Sequence, residues 1–199
     1  MRALAFALLL GLPGCRPVDL PVEPTAGRSP GHPRQGHAAG DGAAQVLQAR
    51  SIQVQDGDSF IVRTSSGSRR TIRLSGIDAP ERSQPDADRS RQSLSRLLDG
   101  RDLEVHVAKT DPYGRAVAQV FTAGADGKPL DVGLAQIDAG MAWFFRRYQG
   151  DLPRAFRERY ADAERGARKA SRGLWQAADP EPPWDFRRRL QAVRQEVGR

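Results

Sequence analysis

Between Ser51 and Phe121, apolar residues return at every second position in five short runs, and turn-forming residues cut each run short. Ile52 and Val54 alternate with Ser51, Gln53 and Gln55. Phe60 and Val62 follow, then Ile72 and Leu74, then Leu103, Val105 and Val107, and last the run from Ala116 to Phe121. A period of two puts one face of each run into a core. Asp56-Gly57, Ser65-Ser66-Gly67-Ser68 and Asp111-Pro112-Tyr113-Gly114 separate the runs, and Asp-Gly is a hairpin signal because glycine takes positive φ at little cost.

Helical spacing appears in three places. Leu94, Leu97 and Leu98 face one way in a stretch that Asp86 or Asp88 can cap and Gly100 can stop. Leu130, Leu134 and Ile137 share a side of a second stretch, from Asp131 to Ala139. Phe156, Tyr160, Ala163, Ala167, Ala170 and Leu174 form a stripe at steps of three and four, with Pro153 suited to the first turn and Gly173 to the end. Five short strands with three helices read as α+β. A five-stranded barrel of the OB-fold type buries strands of this length, and periodicity alone leaves it one architecture among several.

The flanks differ from this region. Residues 1–14 hold Arg2 and an apolar run from Ala3 to Leu12, too short to span a membrane and the right length for a signal-peptide core. The run ends at Leu12-Pro13-Gly14-Cys15, which resembles a bacterial lipobox and makes Cys15 the expected lipidation site and first mature residue; Pro13 departs from the usual pattern. An extracytoplasmic place follows, either on the bacterial envelope or secreted. Residues 15–44 are rich in Pro, Gly and Ala and read as a disordered tether. The domain is expected over residues 45–178, with a basic C-terminal extension at 179–199. A single cysteine excludes a disulfide framework and a cysteine-rich zinc site. The formal charge is +7, and Lys109, Lys128 and Lys169 are the only lysines among 31 basic residues. Arginine forks bind phosphate in a bidentate way, so an anionic partner is expected.

Three clusters carry the chemistry: Asp56-Gly57-Asp58-Ser59, then Arg73-Leu74-Ser75-Gly76-Ile77-Asp78-Ala79-Pro80-Glu81, then Asp111-Pro112-Tyr113-Gly114-Arg115. Singly, each reads equally well as a turn or a strand end. Together, and with Gly140-Met141-Ala142-Trp143, Gly173-Leu174-Trp175 and Pro183-Trp184-Asp185-Phe186-Arg187-Arg188, they resemble the staphylococcal nuclease family over about Gln45 to Trp175. The resemblance implies an OB-fold barrel with three helices. It also implies a Ca²⁺-dependent, sugar-nonspecific nuclease that hydrolyses DNA and RNA, preferring single strands, and leaves 3′-phosphate and 5′-hydroxyl ends. Carried over to this chain, it makes Asp58, Asp78 and the Ala79 backbone carbonyl the Ca²⁺ ligands, all hard oxygen donors. Glu81 becomes the general base, Arg73 and Arg115 the clamp on the scissile phosphate, and Tyr113 a contact to a terminal phosphate. Pro112 stands where the family usually has a basic residue, and Asp131 where many members have asparagine.

Trp143-Phe144-Phe145-Arg146-Arg147-Tyr148 mixes aromatic and basic residues as a stacking platform would, which makes Tyr148 a candidate substrate contact. Packing of helices on the barrel is the expected role of Trp143. Arg187, Arg188 and Arg189 are expected on a solvated helix face that favours polyanions. The chain is expected to act as a monomer, held at the membrane only by its lipid. The competing reading is a non-catalytic OB-fold nucleic-acid-binding envelope lipoprotein, which has no need of three clustered carboxylates.

Overall fold

The computed structural model describes residues 45–198. The leader, Cys15 and the tether lie outside the described residues. Eight strands and four α-helices follow in order: β1 (Gln45–Val54), β2 (Ser59–Thr64), β3 (Arg69–Leu74), β4 (Ile77–Asp78), α1 (Ala87–Leu98), β5 (Asp102–Thr110), β6 (Ala116–Ala123), β7 (Pro129–Asp131), α2 (Val132–Asp138), β8 (Trp143–Phe144), α3 (Arg154–Lys169) and α4 (Pro183–Val197). Short 3₁₀ segments at Arg146–Asp151 and Gly173–Gln176 flank α3.

Strands β1, β2, β3, β6 and β5 close into a five-stranded barrel, as expected for the OB-fold class. Four of the pairings are antiparallel. The closing one, Ile72–Leu74 against Ala116–Ala118, is parallel. Phe60, Val62, Ile72, Leu74, Leu103, Val105, Ala118 and Val120 fill the interior, so the period-two pattern reports the core in four of the five strands. In β1 the register shifts between Ser51 and Gln53, and this bulge reverses the parity of the strand's end. Ile52 is therefore exposed, and Ala49 and Leu47 face the core instead.

Residues of α1, α2 and α3 join the barrel strands in one buried core. Leu94 and Leu98 of α1 are fully buried, and Asp86 caps no amide; its carboxylate pairs with Arg89. Asp131 caps α2 by accepting from the Leu134 amide, and it also accepts from Tyr160 of α3 and from Gln119 of β6. This one buried carboxylate thus ties three elements together, and its charge together with burial raises the Tyr160 hydroxyl's pKa well above its usual value. The stripe predicted to run to Leu174 breaks at Ala170, because Ser171 adopts φ 48° and Leu174 returns in a separate 3₁₀ turn. Trp143 packs edge-on against Trp175 and is buried, a packing role. The stretch read as a basic extension forms a fourth helix, α4, anchored by buried Pro183 and Phe186. No helix among the described residues is long and apolar enough to cross a membrane.

Gly57 differs from the turn expectation. It is absent from the positive-φ glycines, and a Cβ there would lie 1.8 Å from Ser90 Oγ and 2.7 Å from the Ala79 Cβ. Close approach of α1 and the β4 loop, not left-handed backbone, requires glycine at this point.

Candidate active site

A cleft of about 570 Å³ opens where the β1–β2 hairpin, the loop after β4 and the β5–β6 turn meet. The fold brings the sequence-predicted residues Asp58, Arg73, Asp78, Ala79, Glu81, Tyr113, Arg115 and Tyr148 to its wall, although they are spread over ninety positions of the chain. The parallel β3–β6 ladder is what joins them. It sets Arg73 across from Val117, two residues after Arg115.

The floor is ionic. Arg73 lies between two aspartates, with Nη1 2.5 Å from Asp58 Oδ2 and Nη2 2.9 Å from Asp78 Oδ1. Asp58 also accepts from the Ala79 amide at 2.8 Å and from the Ser59 hydroxyl at 2.9 Å. Burial opposes its charge, yet the Arg73 guanidinium and these two donors hold its carboxyl below the usual range. Asp78, only 2% exposed in its side chain, moves the other way: burial, and then the nearby Asp58 charge, raise its pKa despite its arginine partners. Burial works against the Arg73 charge too, but Asp58 and Asp78 keep the guanidinium protonated.

Arg115 stands on the cleft wall. Its Nε donates to Asp111 Oδ2 at 2.8 Å, its amide donates to Asp111 Oδ1, and its guanidinium lies 5.5 Å from the Tyr113 ring centroid. Tyr113 itself is 84% exposed at the mouth. Tyr148 is half-exposed beside Lys109, whose ammonium is paired with Asp151. Lys109 supplies a cation near the turn whose basic position is taken by Pro112.

Sequence reasoning placed Arg187 on a solvated helix face; the structure corrects this for Arg187, while Arg188 and Arg189 do face solvent. Arg187, at the start of the second turn of α4, enters the cleft, where Nη2 meets Asp78 Oδ2 at 2.7 Å and Nη1 meets Glu81 Oε1 at 2.5 Å. Gln84 fixes the approach. It accepts from the Glu81 amide and donates to the carbonyl of Glu181, just before α4. The available signal was Pro182-Pro183-Trp184, a helix start with an aromatic anchor, which puts Arg187 one turn in.

Asp56 is a second addition. Burial first, and the Asp58 charge next, push its carboxyl up to about 6. Between the ordinary carboxylate range and that value, the folded chain keeps a proton that the unfolded chain has lost. Stability therefore falls as pH rises through this window, and the ionised group costs stability above it. Asp56→Asn keeps an oxygen to accept from the Asp58 amide. It is expected to raise the melting midpoint of the metal-free protein by a few degrees at pH 7.5, and by much less at pH 4.5. Calorimetry at the two pH values checks this, and equal midpoints at pH 7.5 would refute it.

Among the described residues, no three carboxylate, imidazole or thiolate side chains form a ready metal cluster. The donor chemistry nevertheless fits a hard divalent cation. Asp58 and Asp78 converge on one cation, now the Arg73 guanidinium, and Asp56 and Asp58 crowd each other's charge.

The sequence profile described as "Staphylococcal nuclease homologue" matches residues 71–177, more than half of the chain. That span holds Arg73, Asp78, Glu81 and Arg115; Asp58 and Arg187 lie outside it. A probable staphylococcal-like nuclease of Oryza sativa subsp. japonica is 36% identical over 126 residues, 63% of this chain and 31% of its own length. An uncharacterized endonuclease of Escherichia coli O157:H7 is 37% identical over 145 residues, 72% of this chain and 86% of its own. A probable endonuclease of Arthroderma otae is 34% identical, over 64% of this chain and 49% of its own length. The chain thus spans about a third of the plant relative and most of the bacterial one. The barrel, the span of the profile and the near full-length bacterial match agree: the chain belongs to the staphylococcal nuclease family.

Proposed function

We propose that the protein is a Ca²⁺-dependent, sugar-nonspecific nuclease that hydrolyses phosphodiester bonds of DNA and RNA, acting on single strands by preference and as a monomer. One observation carries this reading. Two arginines, two buried aspartates and a partly exposed glutamate share a single cleft in a family of nuclease homologues. A non-catalytic binder has no use for buried carboxylates gathered at such a point, since they repel its ligand.

Asp58 and Asp78, with the Ala79 carbonyl, are the groups that would hold the ion, which supplies Lewis acidity to the phosphate oxygens when bound. Arg115, held by Asp111, presents its free guanidinium edge to the scissile phosphate. Arg73 adds charge from the floor. Both offset the negative charge that grows on the phosphate oxygens in the transition state. Glu81, with 38% of its side chain exposed, is reachable by water and takes its proton on a carboxylate oxygen. The hydroxide so formed attacks phosphorus, the bond to the 5′ oxygen breaks, and that oxygen takes a proton from solvent water as it leaves. The ends left are a 3′-phosphate and a 5′-hydroxyl. Tyr113 at the mouth reaches a terminal phosphate, and Tyr148 offers a ring to a base. A signal peptide at residues 1–14 and a lipid on Cys15 would place this activity on the bacterial envelope.

The test uses the chain without its first 40 residues, single-stranded DNA and RNA, and release of acid-soluble nucleotide in millimolar Ca²⁺ or in chelator. Release that needs Ca²⁺ is expected, and Glu81→Gln is expected to lower it about a hundredfold to a thousandfold with an unchanged melting midpoint. Folded protein that binds DNA and releases nothing in Ca²⁺ would overturn the reading.

A further inference from the structure

The cleft has a charge problem. Six carboxylates line it against four cationic side chains, a formal excess of two negative charges. A divalent cation held there would bring the cleft only to formal neutrality, so it gives a polynucleotide no net attraction of its own. A second groove, also of about 570 Å³, runs on from it along α4 and the 3₁₀ segment after β8. Phe145, Tyr148 and Arg187 line both, so the two are continuous. The sign reverses in the second: apart from Arg187, already paired in the cleft, Arg146, Arg147, Arg168 and Arg188 line it with a single carboxylate, Glu164, and Arg188 also pairs with Asp185 at the surface. Glu164 is buried and already committed to the Phe144 amide and to Arg146 and Arg168.

Aromatic faces lie at the junction. Phe145 stacks on Trp184 of α4 with ring centroids 5.0 Å apart and planes 4° from parallel, and Tyr148 meets the Phe145 edge at 4.9 Å. Flat rings beside a row of arginines suit a strand whose bases are unpaired. A duplex keeps its base faces inside its own stack.

We propose that this α4 groove is a binding track for the single-stranded polynucleotide that flanks the scissile phosphate. It takes the strand's phosphates on Arg147, Arg188 and their neighbours, and leads the chain past Arg187 into the cleft. The proposal rests on the nuclease reading for its purpose but not for its test, because binding is measurable without hydrolysis.

Arg147 and Arg188 are the residues to change, because their loss leaves buried Glu164 its own arginines. The probe is a fluorescent twenty-nucleotide oligothymidine, followed by anisotropy in chelator between 50 and 200 mM salt. Arg147→Ala with Arg188→Ala is expected to weaken binding roughly tenfold at 50 mM salt and to reduce the salt slope by about 1.4. The same positions as lysine should restore the slope. Arg91→Ala with Arg96→Ala, on α1 and outside both grooves, removes equal charge and should change affinity less than twofold. An unchanged slope in the groove variant, or an equal loss in the α1 variant, would overturn the track. Nucleotide release in Ca²⁺, read on the same preparations, reports separately on the nuclease reading. Binding through the groove with no release would end that reading and keep the track.

Discussion

Arg115→Ala is expected to lower turnover on single-stranded DNA about a thousandfold in saturating Ca²⁺, roughly 4 kcal/mol of transition-state stabilisation. The fold is expected to stay intact. Asp111, the partner that loses its guanidinium, still accepts from the amides of Tyr113 and Arg115, so the turn keeps its hydrogen bonds. Arg115→Lys restores the charge but not the fork, and should recover only part of the loss. Turnover of Arg115→Ala within tenfold of the parent would remove Arg115 from the phosphate clamp.

Arg73→Ala is expected to be as damaging to turnover, for two reasons that must be separated. The sequence alone suggests an active-site arginine whose removal spares the fold. The structure places it between Asp58 and Asp78, with its side chain 16% exposed. Taking it away leaves two buried carboxylates facing each other, which costs on the order of 3–5 kcal/mol of stability. Urea unfolding of the metal-free variant reads this cost. Addition of Ca²⁺ should raise the variant's midpoint by more than the parent's, since a divalent ion relieves the same repulsion. A variant as stable as its parent in chelator would show that the floor of the cleft is not held together by this ion pair.

That five side chains would meet in one cleft was legible because the short clusters that hold them, read together, resemble one family. Asp58 ends the β1–β2 hairpin, Arg73 and Asp78 bracket the β3–β4 turn, Glu81 follows β4, and Arg115 opens β6. What was not legible is long-range. Arg187 reaches Glu81 from 106 positions away, and only the docking of α4 through Pro183 and Phe186 gives it that direction. Charge patterning treats three consecutive arginines alike, yet one turn of helix sends the first inward and the next two to solvent. Ile52 failed for a local reason of another kind, since a one-residue bulge changes which face a strand turns to the core and leaves composition untouched. The reason for Gly57 was hidden in the same way. A close neighbour across the fold, not its own backbone angle, forbids a side chain there.

The parallel ladder between β3 and β6 carries a consequence for the order of events as the chain folds. Ile72 must find Ala116 across all of α1 and β5, the kind of distant pairing that forms late because its loop must close first. Arg73 lies within that ladder and Arg115 adjoins it, so an open barrel holds the two apart. Closure of the barrel and assembly of the cleft are therefore one event.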